Sequence, residues 1–319
     1  MLHTVDELNE MRALPLREKI MLSLVRIVEF CEHYRGNVVV SFSGGVDSTV
    51  LLHLARSIFP ELKGVYCDTG LEFPEVKEHV KQTENVEIIR PTMNFREVIQ
   101  EYGWVYPSKE VAFLIGNARA GKKWAICRMN GQKVDGTPSG YAAKNVVKWK
   151  KLVDAPVKIS GKCCEIMKKK PFAAYIKEHK CGVMVGTMTE ESMMRKRAWL
   201  KTGCNAYHLH HSMPLSFWTR QDVLQYVIDN KLKIPSVYGD IVKTRGGWET
   251  TKLKRTGCMF CPIAVHLEKY PNRYQRMAKT HPKIYDYCIN QLGLKDLLDY
   301  IGVDYVIRND KQLELFEQE

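Results

Sequence analysis

The chain has 319 residues, 45% of them apolar, with 48 Lys and Arg against 36 Asp and Glu. That length admits one large domain or a domain with an appendage, and the apolar share is ample for a full core. No apolar run is long enough to span a bilayer and the stretch from Met1 to Glu10 is polar, so the expectation is a cytoplasmic protein with no membrane partner. A net charge of +12 suits a polyanionic partner, nucleotide or nucleic acid, without choosing between them.

Residues 5 to 34 read as one or two helices with an apolar face that includes Ile20, Leu24, Ile27 and Val28, stopped by Arg35-Gly36-Asn37. Val38-Val39-Val40 is a β-branched strand running into Ser41-Phe42-Ser43-Gly44-Gly45-Val46-Asp47-Ser48, and an unbroken helical run follows to about Ser57. Gly44 and Gly45 let the backbone approach a ligand closely. The turn's N–H groups and the positive end of the helix then face a common point, which suits phosphate or pyrophosphate. Ser41, Ser43 and Ser48 add hydroxyls, and Asp47 either caps the helix or helps hold Mg²⁺ carried by a nucleotide. An ordinary strand-to-helix turn uses similar residues, but the ordered string S-x-S-G-G-x-D-S directly after a strand favours phosphate.

A strand over 64–67, a helix from Pro74 to about Thr83, a strand over 86–90 and a short helix from Asn94 to Tyr102 come next. Such alternation implies an α/β fold, a doubly wound mostly parallel sheet with its ligand off the carboxyl ends of the strands. The glycine turn and Asp68-Thr69-Gly70 both fall at such ends. Residues 103 to about 160 break the rhythm. Between Arg119 and Lys151 stand nine Lys or Arg and one acid, Asp135, with Trp124, Tyr141 and Trp149 interleaved. That composition suits contact with DNA or tRNA, and equally a solvated insertion whose aromatics fold back on the protein. Order returns with a helix from Pro171 to His179 and a buried strand over 182–186. Thr219 then caps a helix to about Asn230. His208, His210 and His211 fit a polar strand face better than a metal site.

Ten cysteines in a cytosolic chain point to metal ligands, core residues or catalytic thiols. Cys163-Cys164 and Cys258-Met259-Phe260-Cys261 offer four thiolates to one metal centre. Lys162, Lys168, Lys169 and Lys170 adjoin one pair, and Lys252, Lys254 and Arg255 the other, which lowers thiol pKa and offsets a cluster's charge. Zinc is the rival and unligated thiols a third option, but adjacent Cys-Cys suits separate iron corners better than one tetrahedral ion. Cys204 is an alternative fourth ligand. Cys31, Cys67, Cys181 and Cys288 read as core, and Cys127 as the candidate free thiol.

The string from Ser41 to Ser48 resembles the pyrophosphate loop of the adenine-nucleotide alpha-hydrolase superfamily, whose members split ATP between its α and β phosphates; no Gly-Lys-Ser/Thr follows, so it is not a Walker loop. Val65 to Glu75 resembles the second-strand motif of the phosphoadenosine phosphosulfate (PAPS) reductase branch, beside the adenosine. Gly186, Glu191, Ser192 and Arg195 match that branch's fourth-strand motif, and Pro214 to Val223 its P-L-x-x-W-T-x-x-D-V segment. Cys163 to Pro171, with Cys258 and Cys261, resembles the iron–sulfur form of adenosine phosphosulfate reductase.

The resemblance implies a Rossmann-like nucleotide-binding domain over 36–262 with a basic insertion at about 103–160, a helical segment over 1–35 and a helical C-terminal region over 263–319. It implies nucleotide binding by Ser41, Ser43, Gly44, Gly45, Asp47, Ser48, Asp68, Thr69, Gly70 and Gly186, with Asp47, Ser48 and Arg195 catalytic. It also implies ATP with Mg²⁺, and a [4Fe–4S] cluster on Cys163, Cys164, Cys258 and Cys261. Three departures argue against a sulfonucleotide reductase: the full S-G-G-x-D-S loop, which in the family accompanies ATP cleavage and which reductases usually show degraded; Met188 in place of the arginine that faces the substrate's anionic end; and no cysteine after Cys288, where reductases carry their nucleophile. The expected activity is therefore ATP pyrophosphatase: adenylation of an acceptor, DNA or tRNA among the candidates, so that sulfur from a donor protein displaces AMP. The rivals are an adenylyl-sulfate or phosphoadenylyl-sulfate reductase using Cys127 or a partner's thiol, and a non-catalytic nucleotide- or nucleic-acid-binding module.

Overall fold

Val38–Ser41 forms β1 at the centre of a six-stranded sheet with β2 (Lys63–Cys67), β3 (Val86–Ile89), β4 (Gly182–Val185), β5 (Asn205–Ala206) and β6 (His211–Ser212). The computed structural model describes residues 3–140 and 143–307. Tyr141 and the end of the chain after 307 lie outside these. The strand order is β3-β2-β1-β4-β6-β5, parallel throughout except for β5, which pairs antiparallel with β6. Val40 stands opposite Gly64 on one side and Met184 on the other. A central parallel strand is covered on both faces, which is why β1 is a continuous valine run with no alternation. From β1 the chain winds outward through the helix Val46–Arg56, β2, the helix Pro74–Gln82 and β3, and later returns to the other side of β1 as β4. The order therefore reverses between β1 and β4, where open α/β sheets bind ligands. The expected α/β class, doubly wound and mostly parallel, is the observed one.

The helix Leu16–His33 packs into the same core, which includes Ile27, Phe30, Leu51, Leu54, Trp199 and Trp218. Lys19, 3% exposed, pairs with Asp222 at 2.7 Å. Trp218 Nε1 donates to Ser23 Oγ at 2.8 Å, and that hydroxyl donates to the Pro214 carbonyl at 2.9 Å. The N-terminal helices are thus part of the sheet's own body, a compact unit built from residues up to 91 and 168–259. A small hairpin of β7 (Ile241–Thr244) and β8 (Gly247–Thr250) belongs to it too.

A second compact unit combines residues 92–167 with those from 260 onward. It opens with the expected helix, Phe95–Tyr102, and the stretch without a readable period that follows carries three more: Lys109–Arg119, Lys123–Met129 and Ala143–Val147. The first helix has a capping box of Asn94 and Glu97. The basic insertion and the C-terminal helical region, separate segments in the sequence reading, form this one body. The Ala264 amide donates to the Pro107 carbonyl at 3.0 Å and the Tyr300 hydroxyl to the Lys151 carbonyl at 3.1 Å. The rings of Tyr106, Trp149 and His266 meet edge to face at 4.8–5.5 Å. Local periodicity cannot reveal a core whose apolar groups come from segments more than a hundred residues apart.

Candidate active site

At the end of β1 the chain turns sharply into the helix Val46–Arg56. Gly44 has φ +70°, and a Cβ there would fall 2.7 Å from Val80 Cγ2. Ser48 Oγ donates to the Gly45 carbonyl at 2.9 Å and accepts from the Ser43 amide at 3.2 Å, while the Ser43 hydroxyl lies 3.1 Å from it. Thr49 Oγ1 also donates to the Gly45 carbonyl, at 3.0 Å. These bonds hold the turn closed over the helix N-terminus, leaving its positive end to face outward. Gly186, just past β4, is required by proximity: a Cβ would stand 2.8 Å from the Asp47 carbonyl oxygen.

Cations surround the first turn of that helix. Arg220 Nη1 pairs with Asp47 Oδ1 at 3.1 Å and its Nη2 donates to the Lys254 carbonyl at 3.1 Å. Arg255 Nη1 lies 3.1 Å from Glu191 Oε1, and Arg195 pairs with the same carboxylate. Burial pushes the Asp47 carboxyl above its ordinary pKa, and the charges of Arg220, Arg255 and Arg195 only partly offset that. Tyr238 closes the rear of the turn, its hydroxyl 2.7 Å from Thr256 Oγ1 and 3.4 Å from the Val46 amide. Met188 is buried at 1% exposure, so the arginine missing from the fourth-strand motif is not supplied at that position. Arg220 and Arg255, later in the chain, bring positive charge to the turn from other positions.

A cavity of about 550 Å³ opens off the carboxyl ends of β1, β2 and β4. Ser41 and Ser43 reach it from the turn, with Thr256 beside them; Phe73, Phe172 and Ile176 supply apolar wall, and Lys168 and Lys169 cationic rim. Cys67, expected as core, is buried and also lines this cavity, where burial pushes its thiol up to about 11. Of the other nucleotide residues expected from sequence, Gly44, Gly45, Asp47, Ser48 and Gly186 shape the adjoining turn. Asp68, Thr69 and Gly70 organise the neighbouring loop. Thr69 Oγ1 donates to Glu72 at 2.7 Å, and Asp68 accepts from the Gly70 amide and pairs with Lys77 at 3.1 Å. Burial acts against the Asp68 charge, but Lys77 and the Gly70 amide outweigh it and hold the carboxyl below its ordinary pKa.

The cysteines divide between the two units. In the first, Cys258 lies by Lys168, whose pKa is raised: burial opposes its charge, and Cys258 and Glu72, 3.3 Å away, overcome it. In the second, burial raises the pKa of Cys261; Cys164 adds to this, while Arg273 and Lys109 oppose it. Cys163 is buried. Among the described residues no group of three or more His, Cys, Asp or Glu is gathered closely enough to hold a metal ion. Cys204, the alternative ligand, is core instead, its sulfur 3.3 Å from Ser216 Oγ. Cys31, Cys181 and Cys288 are buried as expected, and Cys127 is half-buried.

Within the basic stretch two residues are structural. Arg119 donates to the carbonyls of Leu152, Val153, Ala155 and Val157 at 2.7–2.9 Å. Trp149 is fastened between Tyr106 and His266. The His208–His211 segment is a short 3₁₀ turn and the start of β6, with His210 Nδ1 3.0 Å from the Tyr34 hydroxyl. Sequence reading missed Arg220, Tyr238 and Thr256. Arg220 sits inside the W-T-R-Q-D-V segment, whose helix-capping signal from Thr219 explained the motif without it.

No described helix is long and apolar enough to cross a membrane. A protein of Methanocaldococcus jannaschii is 22% identical over 89% of this chain and 54% of its own length. A phosphoadenosine 5′-phosphosulfate reductase of Klebsiella pneumoniae is 31% identical over 25% of this chain and 37% of its own length. The chain thus spans about half the length of these curated relatives, or less. The solved PAPS reductase of Candida auris covers 74% of this chain and 91% of its own at 12% identity, with a TM-score of 0.36, too low to bear on function. The profile of the phosphoadenosine phosphosulfate reductase domain matches residues 37–109 and 133–264, more than half of the sequence. The chain belongs to the phosphoadenosine phosphosulfate reductase family.

Proposed function

We propose that this protein is an ATP pyrophosphatase of the PAPS reductase family that adenylates an acceptor for sulfur transfer. The observation that carries the reading is the closed turn from Ser41 to Ser48 at the β1–β4 switch point, opening on a cavity with hydroxyls, cations and apolar wall. The turn and helix N-terminus hold the β and γ phosphates, and the apolar wall takes the adenine. Asp47 is the candidate for the Mg²⁺ carried by the nucleotide, exchanging its pairing with Arg220 for the metal. An acceptor oxygen attacks the α-phosphorus, the bond to the β-phosphate oxygen breaks, and pyrophosphate leaves. Ser48, Arg195, Arg220 and Arg255 stabilise the charge that grows on it. A sulfur nucleophile from a donor protein then attacks the acceptor atom bearing the adenylylated oxygen; the new bond to sulfur forms as the bond to that oxygen breaks, and the oxygen leaves with AMP. DNA or tRNA is the proposed acceptor, with the basic stretch as its contact.

Cys163, Cys164, Cys258 and Cys261 would hold the [4Fe–4S] cluster. Their chemistry fits, as thiols with Lys168, Lys109 and Arg273 beside them to balance a thiolate-rich centre. Such a cluster supplies an iron corner with affinity for sulfur. The experiment is anaerobic incubation of the reconstituted protein with ATP and candidate acceptors: AMP and pyrophosphate are expected, and their absence with every acceptor overturns the reading. The matches to PAPS reductases favour one other reading, reduction of a sulfonucleotide; sulfite release from adenylyl sulfate or its 3′-phosphate would establish it.

A further inference from the structure

Phe113 and Trp124 are large aromatic side chains left in solvent, 52% and 41% exposed, on consecutive helices of the second unit. Their rings lie 5.9 Å apart at an interplanar angle of 35°, so they form one surface and are not scattered single residues. Exposed lysines border it. Lys122 and Lys123, both exposed, immediately precede Trp124. Lys109, one helical turn before Phe113, is exposed on the same helix. The segment leading into Cys163-Cys164 touches the same patch, since a Cβ on Gly161 would stand 3.2 Å from Phe113 Cβ. Aromatic faces stack on unpaired bases, lysines attract the flanking phosphates, and neither favours an acidic or purely apolar partner over a nucleic acid.

We infer that Phe113 and Trp124 form a stacking platform for an unpaired base of a single-stranded nucleic acid, with Lys122, Lys123 and Lys109 on its phosphates, beside the cysteine segment. This rests on the reading that the acceptor is a nucleic acid, and it names the part of that acceptor the protein grips: a strand with its bases splayed out. A paired duplex hides its base faces and gives the rings nothing to stack on.

The full-length protein is titrated into a fluorescein-labelled 12-nucleotide uridine oligomer, and separately into the same oligomer annealed to its complement. Phe113→Ala and Trp124→Ala should each weaken single-strand binding on the order of tenfold, Trp124→Phe should restore most of it, and duplex binding should not change. Lys122→Gln with Lys123→Gln should flatten the salt dependence. Melting temperatures of the variants should match the parent, because both rings are exposed. Unchanged single-strand binding in both alanine variants, or equal loss on duplex, overturns the proposal. So does a dimer, seen by sedimentation, that the alanine variants abolish while oligomer binding is unaffected. The titration uses no ATP. A protein that binds through the rings but never forms AMP refutes the adenylation reading alone; one that forms AMP but binds without the rings refutes only this one.

Discussion

The turn from Ser41 to Ser48 and the stretch from Arg119 to Gly140 look alike on paper, both polar and punctuated by glycine. In the first, glycine is demanded by distant parts of the chain. Val80 crowds Gly44, and the turn's own Asp47 carbonyl crowds Gly186, which follows a strand more than a hundred residues later in the chain. In the second, Gly121, Gly136 and Gly140 have nothing within 4 Å and serve only a local positive φ. Residue identity in the turn is set by close packing against distant segments, and in the basic stretch by chain reversal. One residue of the stretch breaks this pattern: Arg119, which gathers four carbonyls.

The sharpest test is Asp47→Asn, which should lower AMP formation on the order of 100-fold while leaving the turn folded. Because burial raises the Asp47 carboxyl's pKa in the folded state, its charge costs stability at neutral pH. That cost is present above the folded pKa and is relieved as pH falls toward the unfolded value of about 3.9. In urea titrations the Asn variant should therefore be no less stable than the parent at pH 7, and its relative advantage should vanish in acid. A variant that is less stable at pH 7 and recovers in acid would reverse the sign.

Gly186→Ala should cost about 1–3 kcal/mol, since the neighbour is backbone and cannot swing aside, and should lower AMP formation with it. Gly136→Ala, at φ +83°, should cost about 1 kcal/mol from backbone strain and leave AMP formation untouched. Equal effects in the two would erase the contrast. Arg119→Met should destabilise by about 2 kcal/mol in the same measurement, since the four carbonyls lose a charged donor. The smallest effect is expected at His79, whose ring lies 3.2 Å from Thr49 Oγ1 and whose pKa is lowered by burial. As pH falls below about 6.5 the unfolded chain takes up that proton and the folded one resists, so stability is lost. His79→Gln should shallow that loss over pH 7 to 5.

The sheet was legible because parallel strands are buried on both faces and announce themselves as runs of Val and Ile between helices. The turn at 41–48 was legible for a related reason, since strand, glycine turn and helix N-terminus are consecutive in the chain. Residues 103–160 were not, because their helices are short and Tyr106 and Trp149 find His266 only after the chain returns. Arg220 was hidden too, as its helix-capping neighbours explained the segment by themselves.

By itself, then, the sequence determined the α/β alternation, the glycine turn between strand and helix at 41–48 and the family, all of which depend on contiguous residues. Tertiary structure decided which cations face Asp47, that Cys204 is core, that Arg119 and Trp149 are structural, and that Phe113 stands exposed beside Trp124. Those are outcomes of which segments meet, and contacts between residues of different elements, from about ten to nearly two hundred positions apart, leave no period in the chain.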